Sequence, residues 1–424
     1  MRQLYLLLLL AYCASAEAQT SYFPPISGTW STVNPESLGW CTHHWDSVDH
    51  YLARKNSKSF ILLHRGRLVY ERYYGTFTRD SLWYWASAGK SLTAFLVGKA
   101  QEEGFLTLND RTDQYLGLGW TSAPPAKEAL ITLRDQLQMT TGLDYRVPDL
   151  DCTADTCLKY RQDAGTQWYY HNAPYLLLHP VMDSATGQNM NLYTVQKLHQ
   201  TIGFSGLWAG TLYISTARAM ARFGHLLLNN GQWNGQAILA DTTYLRELMT
   251  PSQALNPAYG YLTWLNGQSS YIQPGLPFSF NGPIIPSAPA DLYMAAGKND
   301  QRIYVVPSLD LVVVRQGNAA DSSMLALSGF DEGLWSRLMR VICTQSIGLA
   351  ERNSADFSVY PQPAGTYLNL GASWSEPLQL IAPSGRQFPL EKQQGQVKVP
   401  ENLTTGQYWL RDAAGHTAPV LIRP

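Results

Sequence analysis

The sequence predicts an α/β (α+β) protein: one antiparallel sheet with strands from both ends of a large domain, helices on its flanks and a helical insertion in its middle, then a small all-β sandwich. Three observations carry this. Strand-like hairpins stand near residue 65 and again near residue 308. Between them the apolar residues recur mostly at helical spacing. From about Arg352 onward only short strand-like runs and turns remain.

The 424 residues are enough for one large domain or two unequal ones. A net charge of -1 with no basic stripe argues against a nucleic-acid partner. Residues 1–18 read as a signal peptide: Arg2, the apolar run from Leu4 to Ala11, then Ala14, Ala16 and Ala18. That run is too short to span a bilayer, so export is expected, with a secreted or cell-surface protein as the outcome, or a periplasmic one if the tail carries no sorting signal. Cys13 would fit a lipoprotein site, but the bulky Tyr12 before it argues otherwise. Four cysteines then remain in an oxidising compartment. Cys152 and Cys157 share one loop and would close a small ring, which leaves Cys41 to pair with Cys343. No second close pair or spaced histidines suggest a metal, so no cofactor is expected.

Asn34-Pro35 reads as a helix start, with Leu38, Cys41, Trp45, Val48 and Leu52 on one face. His43, His44 and His50 fall on its other faces, where solvated histidines are expected. Ser59–Leu63, Arg65-Gly66 and Leu68–Tyr74 form a hairpin. An aromatic approach, Trp83-Tyr84-Trp85, then runs into Ser87-Ala88-Gly89-Lys90 and a helical pattern at Leu92, Phe95, Leu96 and Ala100. Serine and lysine thus share a helix face, where an amine in apolar surroundings loses proton affinity and can take the serine's proton. A further helix is expected from Ile131 to a stop at Gly142, and from Gly165 to about Asn230 the pattern is mostly helical. Arg302–Pro307 and Leu309–Arg315 flank a turn. The last helix of this domain carries Leu334, Leu338, Val341, Ile342 and Cys343. In the tail, strands are expected at 366–370, 378–382, 387–392, 396–399, 407–411 and 418–422.

A serine–lysine pair needs a proton relay and oxyanion donors. Tyr170-His171-Asn172 and Lys298-Asn299-Asp300-Gln301 supply candidates in a suitable order. With these three motifs, and with Ile131–Leu143 and Gln301–Val314 around them, residues 35 to 345 resemble the penicillin-recognising serine hydrolases. These include class C β-lactamases, D-Ala-D-Ala carboxypeptidases, β-lactamase-fold esterases and aminohexanoate-dimer hydrolases, and the esterase and amide-hydrolase branch is the nearest. The resemblance implies a β-lactamase/transpeptidase-like fold over residues 19–350. It makes Ser87 the acylated nucleophile, Lys90 its activator and Tyr170 the proton shuttle. Asn172 would hold Lys90 and a substrate carbonyl. Lys298 would keep Tyr170 acidic or pair with a substrate carboxylate, and the N–H groups of Ser87 and Gln301 would form the oxyanion hole.

In this frame Asp300 stands where glycine is usual, and is expected to narrow the substrate's place and disfavour acidic substrates. A frame sliding to Ala296-Gly297-Lys298 restores the glycine but misplaces the strand. Residues 351–424, with Tyr360-Pro361-Gln362-Pro363 and Leu403-Thr404-Thr405-Gly406-Gln407-Tyr408, resemble a type IX secretion sorting domain. That implies secretion machinery as a partner; a plain β-sandwich binding module is the alternative. The expected function is hydrolysis of a small ester, amide or peptide through an acyl-enzyme. D-Ala-D-Ala carboxypeptidase or β-lactamase activity is the alternative, and a catalytically silent binding protein on the same fold the second. The oligomeric state is left open.

Overall fold

The computed structural model describes residues 21–321, 327, 329–343, 359–360, 366–371, 374–382, 385–393 and 395–423. The expected leader, the junction near residue 350 and the prolines after Tyr360 lie outside these.

Six antiparallel strands form the central sheet, in the order Arg67–Tyr73, Ser57–His64, Leu311–Gly317, Gln301–Val306, Tyr293–Gly297, Trp264–Leu265. Both ends of the domain therefore meet in one sheet, as expected. Arg65 and Gly66 turn the first hairpin with φ of 48° and 79°, the left-handed pair that matches strand twist. Phe60 to Leu63 and Val312 to Val314 are fully buried, because helices cover both faces and no solvent side imposes alternation. Helix Ala217–Leu228 lies on one face, and Trp45–Arg54 with Gly329–Ile342 on the other.

Three expectations at element level change. Asn34 does cap a turn, accepting the Glu36 N–H at 3.0 Å, but Gly39 ends it at φ 74° and the true helix starts at Trp45. The helix after Ile131 carries a Thr132–Asp135 capping box and stops at left-handed Met139, short of Gly142. Within the stretch read as helical, Gly206–Ala209 and Leu212–Ser215 form a hairpin that pairs with Trp83–Tyr84.

Both expected disulfides are present. Cys41–Cys343 joins the segment before Thr42 to the end of helix Gly329–Ile342, and Cys152–Cys157 closes its ring. The tail is a sandwich of two four-stranded sheets, with the strands placed as expected and Leu368, Leu380, Val397, Leu410 and Val420 inside. Its Ile381 and Trp409 pack on Leu276 and Phe280 of the first domain, and Asn281 Nδ2 donates to Ala414 O at 3.0 Å. Among the described residues, no helix is long and apolar enough to cross a membrane.

Candidate active site

The nucleophile turn is held on three sides. Strand Trp83–Tyr84 is pinned by the inserted hairpin, and Trp85, fully buried, donates from Nε1 to Ser215 Oγ at 2.7 Å. Ala86 then takes φ 48°, a left-handed conformation costly for alanine that persists only where the surroundings over-determine it. A single 3-10 turn, Ala86–Ala88, carries Ser87 into helix Gly89–Glu102.

One turn on, Lys90 Nζ lies 3.1 Å from Ser87 Oγ. The lysine is buried, with its nitrogen 4.1 Å from the ring centre of Tyr175 and 5.0 Å from that of Tyr170. Burial lowers its pKa from 10.5 to about 7, against an opposing pull from the Asp151 carboxylate. A substantial neutral fraction at neutral pH is what a base beside a hydroxyl needs.

Tyr170 is held between aromatic rings, stacked on Trp264 at 5.8 Å and edge-on to Tyr259 at 6.2 Å. Burial raises its pKa, a hydrogen bond with the Ser87 side chain pulls it back, and Tyr175 and Asp151 raise it further. It is therefore a neutral phenol, able to donate a proton. Lys298 is exposed on the turn after Gly297, and burial is the largest influence on the Tyr170 phenol.

Asn172 stands two residues beyond Tyr170. It opens helix Asn172–Leu176, and its Nδ2 donates one N–H to Asp151 Oδ1 at 2.7 Å. Its Oδ1 is buried without a partner among the described residues, as are both ring nitrogens of His171. Burial takes the His171 pKa down to about 4, so the imidazole is neutral at neutral pH.

The third motif is reframed. Tyr293–Gly297 is itself a strand, which removes the objection to placing the motif's glycine at 297. A β-carbon on Gly297 would stand 2.3 Å from Trp85 O and 2.9 Å from Ala88 N, so this glycine is where the sheet presses on the nucleophile turn. Asp300 does not crowd a substrate: it is buried at φ 58°, accepting from Arg302 Nη2 at 3.1 Å and from the Ala320 N–H at 2.9 Å. Arg302 in turn donates to Gly297 O at 2.8 Å and to Asp331 at 2.7 and 3.0 Å. Gln301 is fully buried, and its amide donates to Gly317 O at 2.6 Å and to Asn299 O at 2.9 Å. Asn299 ties the turn to Tyr84 by a 2.7 Å hydrogen bond to its hydroxyl.

The structure thus gathers Ser87, Lys90, Tyr170 and Asn172 and adds Tyr175, Trp264, Gly297 and Asp151, which the motifs did not reveal. Only Gly297 carried a sequence signal, as the discarded frame. A separate cavity of about 640 Å³, lined by Leu228, Leu245, Met249, Leu265 and Leu292 among others, contains none of these groups. Among the described residues, no group of three or more His, Cys, Asp or Glu side chains gathers to hold a metal.

Residues 48–326 match the model of the Beta-lactamase family. A sequence relative, Uncharacterized protein BpOF4_21049 of Alkalihalophilus pseudofirmus, is 23% identical over 62% of this chain and 84% of its own length. Among solved structures, a Bacillus anthracis protein described provisionally as a 6-aminohexanoate-dimer hydrolase superposes with TM-score 0.56 at 18% identity, covering 76% of this chain and 89% of its own. A penicillin-binding protein homolog from Caulobacter crescentus (0.54, 12%, 73% and 98%) and EstCE1, a hydrolase with promiscuous acyltransferase activity (0.54, 12%, 72% and 99%), share the fold. With more than half of its length matched, the chain belongs to the Beta-lactamase family.

Proposed function

We propose that the protein hydrolyses an ester or amide through a covalent acyl-enzyme on Ser87. The observation that carries this reading is the contact of Lys90 Nζ with Ser87 Oγ at 3.1 Å, together with burial that brings the amine's pKa to about 7. In the first half-reaction the neutral amine takes the hydroxyl proton as Oγ bonds to the substrate carbonyl carbon, and the carbonyl pair moves onto oxygen. The N–H groups of Ser87 and of Lys298, the residue after Gly297, are the donors aimed at that oxyanion. This replaces Gln301 in the role, because the close approach to the turn is made at Gly297. Collapse breaks the bond to the leaving group, which takes the proton of the Tyr170 phenol, and the lysine's extra proton restores the phenol. Water then repeats the sequence on the acyl-enzyme.

Labelling with a fluorophosphonate probe tests the assignment. The wild type should label and Ser87→Ala should not; an unlabelled wild type, or a variant labelled as before, rejects it. A chromogenic cephalosporin turned over faster than short-chain nitrophenyl esters would instead favour a β-lactamase or D-Ala-D-Ala carboxypeptidase, with exposed Lys298 facing a substrate carboxylate. On the same reading the protein is exported and its tail engages secretion machinery. The self-contained core of the tail sandwich supports a separate module there.

A further inference from the structure

We propose that Asp151 makes the cleft select substrates that carry a positively charged amine near the scissile ester or amide. This rests on the acyl-enzyme reading and deepens it by naming a substrate class.

The carboxylate is fixed from both sides. Before it, Leu150 O accepts the Ala173 N–H at 2.8 Å, which ties the loop to the residue beside Asn172. The Asp151 N–H donates to Asp149 Oδ1 at 2.9 Å, and the Cys152–Cys157 ring begins at the next residue. The loop thus delivers one carboxylate to the rim of the site. Asp151 is exposed, yet its charge is felt by the buried Lys90, Tyr170 and His171. No Lys or Arg among the described residues forms an ion pair with it.

Its bond to Asn172 changes what that residue offers. One N–H of Nδ2 is committed to Asp151 Oδ1, and the Oδ1 of the same amide is buried without a partner among the described residues. The rim beside Asn172 therefore offers an exposed carboxylate, held in place by the Asn172 N–H, with acceptor lone pairs and a negative charge. A protonated amine supplies several N–H donors and the opposite charge, so it pairs with that carboxylate. A substrate presenting a carboxylate there faces like-charge repulsion.

Matched nitrophenyl esters of equal length, one ending in an ammonium and one in a methyl group, test this. The ratio of their kcat/KM values is read within each protein, so an overall change in activity does not enter. The wild type should favour the ammonium ester roughly 3–10-fold at low salt, the size of one charge pair at a partly solvated site. That ratio should shrink at 1 M salt, where charges are screened beyond about 3 Å. Asp151→Asn should bring it to near one, Asp151→Lys should turn the preference towards a carboxylate-bearing ester, and Asp155→Asn, exposed on the same ring, should leave it unchanged. Equal rates in the wild type, or a ratio that survives Asp151→Asn, overturns the assignment while Ser87-dependent turnover of the methyl ester preserves the acyl-enzyme reading. Turnover of neither ester overturns both.

Discussion

Replacing Lys90 with methionine should destroy activity and stabilise the fold. The amine is buried, and the fall of its pKa from 10.5 to about 7 measures how much the folded protein disfavours the charged form. At about 1.36 kcal/mol for each tenfold change, the penalty is about 5 kcal/mol when the lysine must be protonated. The sign follows from proton counting. Between pH 7 and 10.5 the unfolded chain holds the proton and the folded one does not, so this group's contribution to stability rises with pH across that interval. The penalty is complete below about pH 7 and relieved as pH approaches 10.5. Methionine has similar length, no charge and a thioether suited to contact with the Tyr170 and Tyr175 rings. Lys90→Met should therefore gain about 1–3 kcal/mol at pH 6, a part of the penalty, since repacking is imperfect. The advantage should shrink at pH 9. Urea denaturation followed by near-UV circular dichroism at both pH values measures it. A variant less stable than wild type at pH 6, or an advantage that does not shrink at pH 9, would refute the reasoning.

Two further outcomes follow from the groups behind the nucleophile turn. Gly297→Ala places a methyl group against Trp85 O and Ala88 N, backbone atoms that cannot turn aside. Acylation in single-turnover experiments should fall at least 10²-fold, as for a displacement of about 1 Å at a reacting group, with about 1–3 kcal/mol lost in melting; an unchanged acylation rate would remove Gly297 from the site. Asp331→Ala strips a buried guanidinium of its main partner and should cost about 3–5 kcal/mol in urea denaturation. Adding Arg302→Met should recover much of that loss, and no recovery would mean that the charge pair is not what holds the turn.

Sequence and structure diverge where tertiary contacts outvote local pattern. The first hairpin was legible because Arg65-Gly66 is turn chemistry between apolar runs, and the tail strands because turn residues punctuate them. Ser87 and Lys90 were legible because three residues on a helix is a geometric relation visible in one dimension. Tyr293–Gly297 was not, because Met294, Ala295 and Ala296 are neither β-branched nor aromatic and a strand buried on both faces shows no alternation. Missing that strand shifted the third motif and made Asp300 look like an obstacle, when it is a buried partner of Arg302. The hairpin at 206–215 hid between helical segments, and its role in pinning Trp83–Tyr84 exists only in three dimensions. Asp151 is an exposed acid in a cysteine ring, and nothing along the chain joins it to Asn172.

The bridge between Cys41 and Cys343 encloses nearly all of the domain that bears Ser87. A protease that cuts a surface loop between Tyr73 and Trp264 produces two pieces that stay covalently joined, and each keeps its share of the central sheet: Ser57–Tyr73 comes from one end and Leu311–Gly317 from the other. A nick would then show on a gel only after reduction, and the damaged molecule would keep the halves of its active site at high local concentration, in position to close again.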